Sequence, residues 1–230
     1  DALRPIYENL EFRMFLKKMD GDVTEKQNNV NSWGALFDAQ PSVMQEEEKE
    51  ISFKTINDVP HSYKLIETEE DAKLLCDELL TFNTICLDTE TTSIDAIRAK
   101  LVGLSFSVKK GEAWYVAVPR ETEAAQHMVQ IFSSIYENDK ILKVGQNLKY
   151  DLTVLANYGI QLKTPLFDTM LAHYLVQPEL RHNMDYLAEI YLNYQTIHID
   201  TLIGPKGKNQ KNMADLAPAD ICDYACEDAD

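Results

Sequence analysis

Two apolar runs, residues 101–108 and 113–118, stand either side of Lys109-Lys110-Gly111-Glu112, and this feature most restricts what the chain can fold into. Runs of that length rich in Leu, Val and Phe read as strands, and a short polar break containing Gly joins antiparallel neighbours. A third strand, residues 84–88, precedes them. The pattern then alternates: a helix over 123–136, a short strand at 141–145, a helix over 147–158 ended by Gly159, and a last short strand at 166–168. Upstream, Thr68 caps a helix through Leu80 whose first turn carries Glu69, Glu70 and Asp71, acids that complement the helix dipole. Downstream, helices are predicted over 169–176, 183–192 and from 218 onward, where Pro218 suits the first turn. The expected fold is α/β: a mixed central sheet of about five strands, the first three antiparallel, flanked by helices on both faces.

The N-terminal quarter reads differently. Residues 7–18 place Leu10, Phe12, Phe15 and Leu16 at helical spacing, a short amphipathic helix. From about 21 to 58 the pattern dissolves into a polar linker ending in the acidic run 46–50, with Trp33 and Phe37 as docking points within it. The compact domain is expected from 59 to 230. The chain begins without Met and stops inside a helical pattern, as a piece excised from a larger protein would.

Bulk properties exclude some classes. No apolar run approaches the roughly 20 residues of a membrane span, so no membrane partner is expected. Cys76, Cys86, Cys222 and Cys226 form no Cys-x-x-Cys pair, which favours reduced thiols in a cytoplasmic protein. The net charge of −16 argues against a general nucleic-acid binder, because phosphate binders carry a basic footprint.

Four carboxylates nevertheless point to phosphate chemistry. Asp88 and Glu90 are two residues apart at a strand end, so their side chains share a face. Asp151 lies four residues after Asn147, and Asp228 four after Tyr224, each pair on one helix face. Any one of these is an ordinary solvated acid. Together, each on an element able to carry it, they suggest convergence on a pair of divalent cations suited to phosphodiester cleavage.

The segments Leu87-Asp88-Thr89-Glu90-Thr91, 145–151 (Gly-Gln-Asn-Leu-Lys-Tyr-Asp), 206–210 (Lys-Gly-Lys-Asn-Gln) and 224–230 resemble the motifs of the 3′→5′ proofreading exonuclease domains of bacterial family A DNA polymerases. These are ribonuclease H-like enzymes, in the subclass whose third motif carries Tyr. The resemblance covers about 51–230. Residues 1–20 are similar, more weakly, to the end of a preceding 5′-nuclease region.

That resemblance implies two Mg²⁺ or Mn²⁺ ions. Asp88, Glu90 and Asp228 would hold the first, Asp88 would bridge to the second, and Asp151 would support it. Tyr224 would orient the attacking water. For DNA it implies Thr91, Gln146, Asn147 and Tyr150 beside the terminal nucleotides, Ile94 as an apolar wedge, Arg181 on a phosphate, and Met184 and Met213 against bases. For Ile94, Met184 and Met213 core packing is the competing reading, and a structural role is expected for His173 and His182. The implied function is editing of a single-stranded or frayed DNA 3′ end for the polymerase of the same chain, by a monomeric fragment of a bacterial, nucleoid-associated protein. An RNase D-like exoribonuclease and a catalytically weak scaffold domain are the alternatives.

Overall fold

The computed structural model describes Arg4 and residues 52–230. The chain divides into Asp1–Glu50 and Ile51–Asp230, so the expectations for a helix at 7–18 and for a linker up to 50 lie outside the described residues. Residues 52–58, assigned to the linker from sequence, belong to the folded unit. Lys54 bridges Tyr194, with Lys54 N donating to Asn193 O at 3.0 Å and Gln195 N to Lys54 O at 2.8 Å.

The elements run β1 (Ser62–Ile66), α1 (Glu69–Leu79), β2 (Thr84–Thr91), β3 (Leu101–Lys109), β4 (Glu112–Ala117), α2 (Thr122–Ile131), α3 (Ser133–Tyr136), β5 (Leu142–Gly145), α4 (Leu148–Ala156), β6 (Leu166–Asp168), α5 (Thr169–Val176), α6 (Met184–Leu187), α7 (Ile199–Ile203) and α8 (Pro218–Ala229). The sheet has six strands in the order β1-β4-β3-β2-β5-β6. β2, β3 and β4 pair antiparallel, as expected, while β1 joins β4, β5 joins β2 and β6 joins β5 in parallel. The sixth strand, β1, is the one the sequence reading missed. Its alternation is short, with only Tyr63 and Leu65 packing toward α8.

The hairpin is tighter than expected. Lys109 and Glu112 pair across it at 2.8 Å, and the turn is Lys110-Gly111, where Gly111 takes φ +78°, a conformation that suits glycine. The helix expected over 123–136 breaks at Phe132, whose ring stacks on Phe106 with centroids 4.9 Å apart. The helix expected over 183–192 is α6 followed by a π-helical turn, Ala188–Leu192, ended by Asn193 at φ 52°.

Strand alternation divides the interior. One face of the sheet buries Ile85, Leu87, Leu104, Phe106, Trp114 and Val116 against α1 and the α2–α4 region. The other buries Ala113 and Tyr115 against Ile221, Cys222, Ala225 and Cys226 of α8. Gly103 is required here, since a Cβ on it would lie 2.0 Å from the Tyr115 ring. β2, central in the sheet, therefore turns Leu87 to one core and Asp88 and Glu90 toward α8. Among the described residues no helix is long and apolar enough to cross a membrane.

Candidate active site

The α8 face of β2 and the last turn of α8 build the site. One oxygen from each of Asp88, Glu90 and Asp228 lies within 4.8 Å of the others, although 140 residues of chain separate Asp88 from Asp228. The strand period and the packing of α8 on β2–β4 bring them together. Glu90 is buried, and its Oε1 has no hydrogen-bond partner. A buried acceptor without a donor is costly unless something cationic or protic meets it.

Asp151 stands outside that triplet. It is 2% exposed and sits on the first turn of α4, where its Oδ1 accepts from the Thr89 hydroxyl at 2.6 Å. Thr89 lies between Asp88 and Glu90, so the second motif is tied directly to the first.

Electrostatics confirm how crowded the acids are. Burial, then the charges of Asp151, Glu90 and Asp228, hold the Asp88 carboxyl well above the usual range. Glu90 is pushed to about 8 by burial and then by Asp228 and Asp151. Burial raises Asp151 to about 7 against the pull of its Thr89 bond, and raises Asp228 to about 7 against a bond from Tyr224. Burial, then the charges of Asp228, Glu90 and Asp88, also raise Tyr224, so its hydroxyl stays protonated. Carboxylates that share a space without a counter-charge take up protons, and a divalent cation relieves the same repulsion. With oxygen the only donor atom, the set fits hard cations such as Mg²⁺ or Mn²⁺.

A cleft of about 810 Å³ opens beside the acids, lined by Asp88 and Asp228 at one side and by Gln146, His173, Met184 and Tyr191 further along. The nucleotide-facing residues expected from sequence are distributed unevenly around it. Met184 lines the cleft. Ile94 is 98% exposed, which overturns the core-packing alternative for it. Arg181 is exposed. Thr91 and Tyr150 share a hydroxyl–hydroxyl bond of 2.5 Å, and Tyr150 also donates to Ser93 O at 2.5 Å, bracing the segment that carries Ile94.

For Met213 the core-packing alternative is the one the structure shows. Met213 is 4% exposed and packs with Tyr115 and Ile221; it is core, and it offers no face to a base. Gln146 lines the cleft, with its amide held by protein at both ends: Nε2 donates to His182 O at 2.6 Å, and Oε1 accepts from Thr169. Asn147 occupies the left-handed region at φ 60°, ψ 44°. His173 and His182 bond through their Nδ1 atoms, 2.6 Å apart, a structural link between α5 and the loop before α6.

Three contributors escaped the sequence reading. Thr89 anchors Asp151. Asp168 accepts from the backbone of the second motif. Glu227, 8% exposed, accepts from the Tyr194 hydroxyl and from Ile197 N, both at 2.5 Å. Thr89 and Glu227 sit inside recognised motifs and Asp168 ends a short strand, and an acid or hydroxyl at such a place is too common to single out in the sequence alone.

Comparison with known proteins accords with this geometry. A family model described as 3′-5′ exonuclease matches residues 63–230. DNA polymerase I of Pseudomonas aeruginosa is 34% identical over 240 residues covering 100% of this chain, and DNA polymerase I of Borreliella burgdorferi is 29% identical over 98% of it. The chain spans 24% of the length of each of those relatives. Among solved structures, Brucella melitensis NrnC superposes with a TM-score of 0.54 at 18% identity, covering 74% of this chain and 75% of its own. Escherichia coli RNase D, an exoribonuclease involved in structured RNA processing, gives 0.54 at 19% identity over 73% of this chain and 41% of its own. At those identities the two structures speak to the fold alone. The family match over most of the chain and the full-length polymerase relatives speak to kinship, and on them the chain belongs to the 3′-5′ exonucleases, as the exonuclease domain of a DNA polymerase I.

Proposed function

We propose that this domain is a metal-dependent exonuclease that hydrolyses the terminal phosphodiester of single-stranded or frayed DNA, editing for a polymerase in the same protein at the bacterial nucleoid. The convergence of Asp88, Glu90 and Asp228 within 4.8 Å beside an open cleft carries the reading. Asp88, Glu90 and Asp228 would hold one divalent cation, with Asp151 supporting a second beside Asp88. Bound there, such ions supply charge neutralisation at the phosphate and a more acidic water.

The chain's own groups do the positioning. Tyr224 would orient the attacking water through a hydroxyl that burial and the neighbouring acids keep protonated. Thr89 holds Asp151 on the far side. The apolar cleft takes the terminal nucleotides away from bulk solvent, and Ile94 projects where a strand would part from its complement. Selectivity follows from fraying, because a mispaired end is cheaper to melt than a paired one.

The test is EDTA-sensitive release of mononucleotides from single-stranded DNA, abolished by Asp88→Ala with Glu90→Ala. Survival of the activity in that double variant refutes the assignment. The structural likeness to RNase D supports a second reading, trimming of RNA. Matched DNA and RNA oligonucleotides separate the two, and the DNA reading requires faster release from DNA.

A further inference from the structure

The second motif must turn from strand to helix within two residues. β5 ends at Gly145 and α4 begins at Leu148. A Cβ at Gly145 would fall 2.9 Å from Leu87 O and 2.5 Å from the Leu148 side chain, so the turn is pressed against β2. Making it puts Asn147 in the left-handed region, which asparagine tolerates better than most L residues but only where the surroundings hold it. Asn147 is the N-cap of α4, yet its side chain makes no capping bond. The first N–H groups of α4 would be left without acceptors.

Asp168 supplies them from outside the helix. Its Oδ1 accepts from Asn147 N at 3.1 Å and its Oδ2 from Leu148 N at 2.8 Å. The same Oδ1 also accepts from Leu171 N at 3.1 Å, capping α5. One carboxylate thus takes three backbone donors from two helix starts. Its neighbour extends the brace, because the Thr169 hydroxyl lies 3.1 Å from Gly145 O and also bonds Gln146.

We propose that Asp168 is a positioning residue for the nuclease reaction: by capping α4 from β6 it fixes the left-handed turn at Asn147 and so sets where the first turn of α4 presents Tyr150 and Asp151. Charge-assisted bonds of this kind are the stronger class. Without them the first turn of α4 loosens, and Asp151 loses its register with Thr89. The inference rests on the proposed function for its activity readout, and on the fold alone for its structural one.

The experiment compares the chain with Asp168→Asn, Asp168→Ser and Thr68→Ala. The last removes an N-cap of the same kind from α1, where the Thr68 hydroxyl accepts from Asp71 N, on the sheet face opposite α8. Asp168→Ser covers the case in which Asp168→Asn fails to fold, since a serine still caps α5 but cannot reach Asn147 and Leu148. Mononucleotide release from single-stranded DNA is followed against Mn²⁺ concentration, with Tm measured alongside. The expected result is a loss of about 10–100-fold in kcat with a raised Mn²⁺ requirement for the Asp168 variants, KM for DNA within a few-fold, and unchanged kinetics for Thr68→Ala at a comparable Tm loss. Asp168 variants that melt lower but keep wild-type kcat and Mn²⁺ dependence overturn the inference. A wild-type chain inactive on this substrate counts instead against the proposed function, and Mn²⁺ binding by calorimetry then decides the role of Asp168 in the same direction.

Discussion

Replacing Glu90 by Gln should make the metal-free protein more stable while destroying its activity. The three oxygens of Asp88, Glu90 and Asp228 lie within 4.8 Å. Two unit charges at that distance repel by about 3.5 kcal/mol at an effective dielectric of about 20. Proton uptake caps the cost, and Asp88 and Asp228 border the open cleft, so the relief at pH 8 is about 2 kcal/mol. For a unit of this size that is a rise of about 4–8 °C in Tm.

The sign with pH follows from Glu90, whose carboxyl rises from 4.5 to about 8 on folding. The folded state binds this proton more tightly, so its stabilising contribution is complete below about 4.5 and is lost as pH climbs through 8. Calorimetry in EDTA should therefore show a gap between variant and wild type that is wide at pH 8 and nearly closed at pH 5. Mn²⁺ at pH 8 should raise the wild-type Tm more than that of the variant, through preferential binding to the folded state. A variant that melts at or below wild type in EDTA at pH 8, or a gap equal at both pH values, refutes the reasoning.

Thr89→Val should leave the buried Asp151 carboxyl without its 2.6 Å donor, costing about 1–3 kcal/mol of stability by denaturant titration and slowing nucleotide release although no proposed ligand is touched. Gly103→Ala should destabilise the domain by about 1–3 kcal/mol, measured the same way, because the new methyl displaces Tyr115 from its place under α8.

The parts of the site legible in the sequence were those written locally. Asp88 with Glu90, Asn147 with Asp151 and Tyr224 with Asp228 each fall within one strand or helix repeat, so spacing alone put them on shared faces. The supports were not local. Thr89 finds Asp151 across 62 residues, Asp168 finds Leu148 across 20, and Glu227 finds Ile197 across 30. No periodicity encodes such pairs. Strand β1 escaped for a related reason: its partner β4 lies fifty residues on, and a five-residue edge strand carries too little alternation to declare itself. Met213 is the opposite case: family likeness set it against a base and core packing was the alternative, and it packs as core beside Tyr115.

The placement of Asp88 and Glu90 on the central strand β2, and of Asp228 on the last turn of α8, divides the proposed ligand set between the sheet and the helix packed on it. β2 is paired on both sides, so its acids hold their geometry until the whole sheet unfolds. The end of α8 is held by the buried Ala225, Cys226 and Ala229 and by side-chain ties from Glu227 to Tyr194 and Ile197 and from Asp230 to Tyr63 and Gly111. The set is complete only while α8 is docked on β2, so helix packing and cation affinity are linked. The cation site is therefore an interface within the fold, and a substitution that shifts α8 on the sheet should weaken metal binding without removing a single ligand.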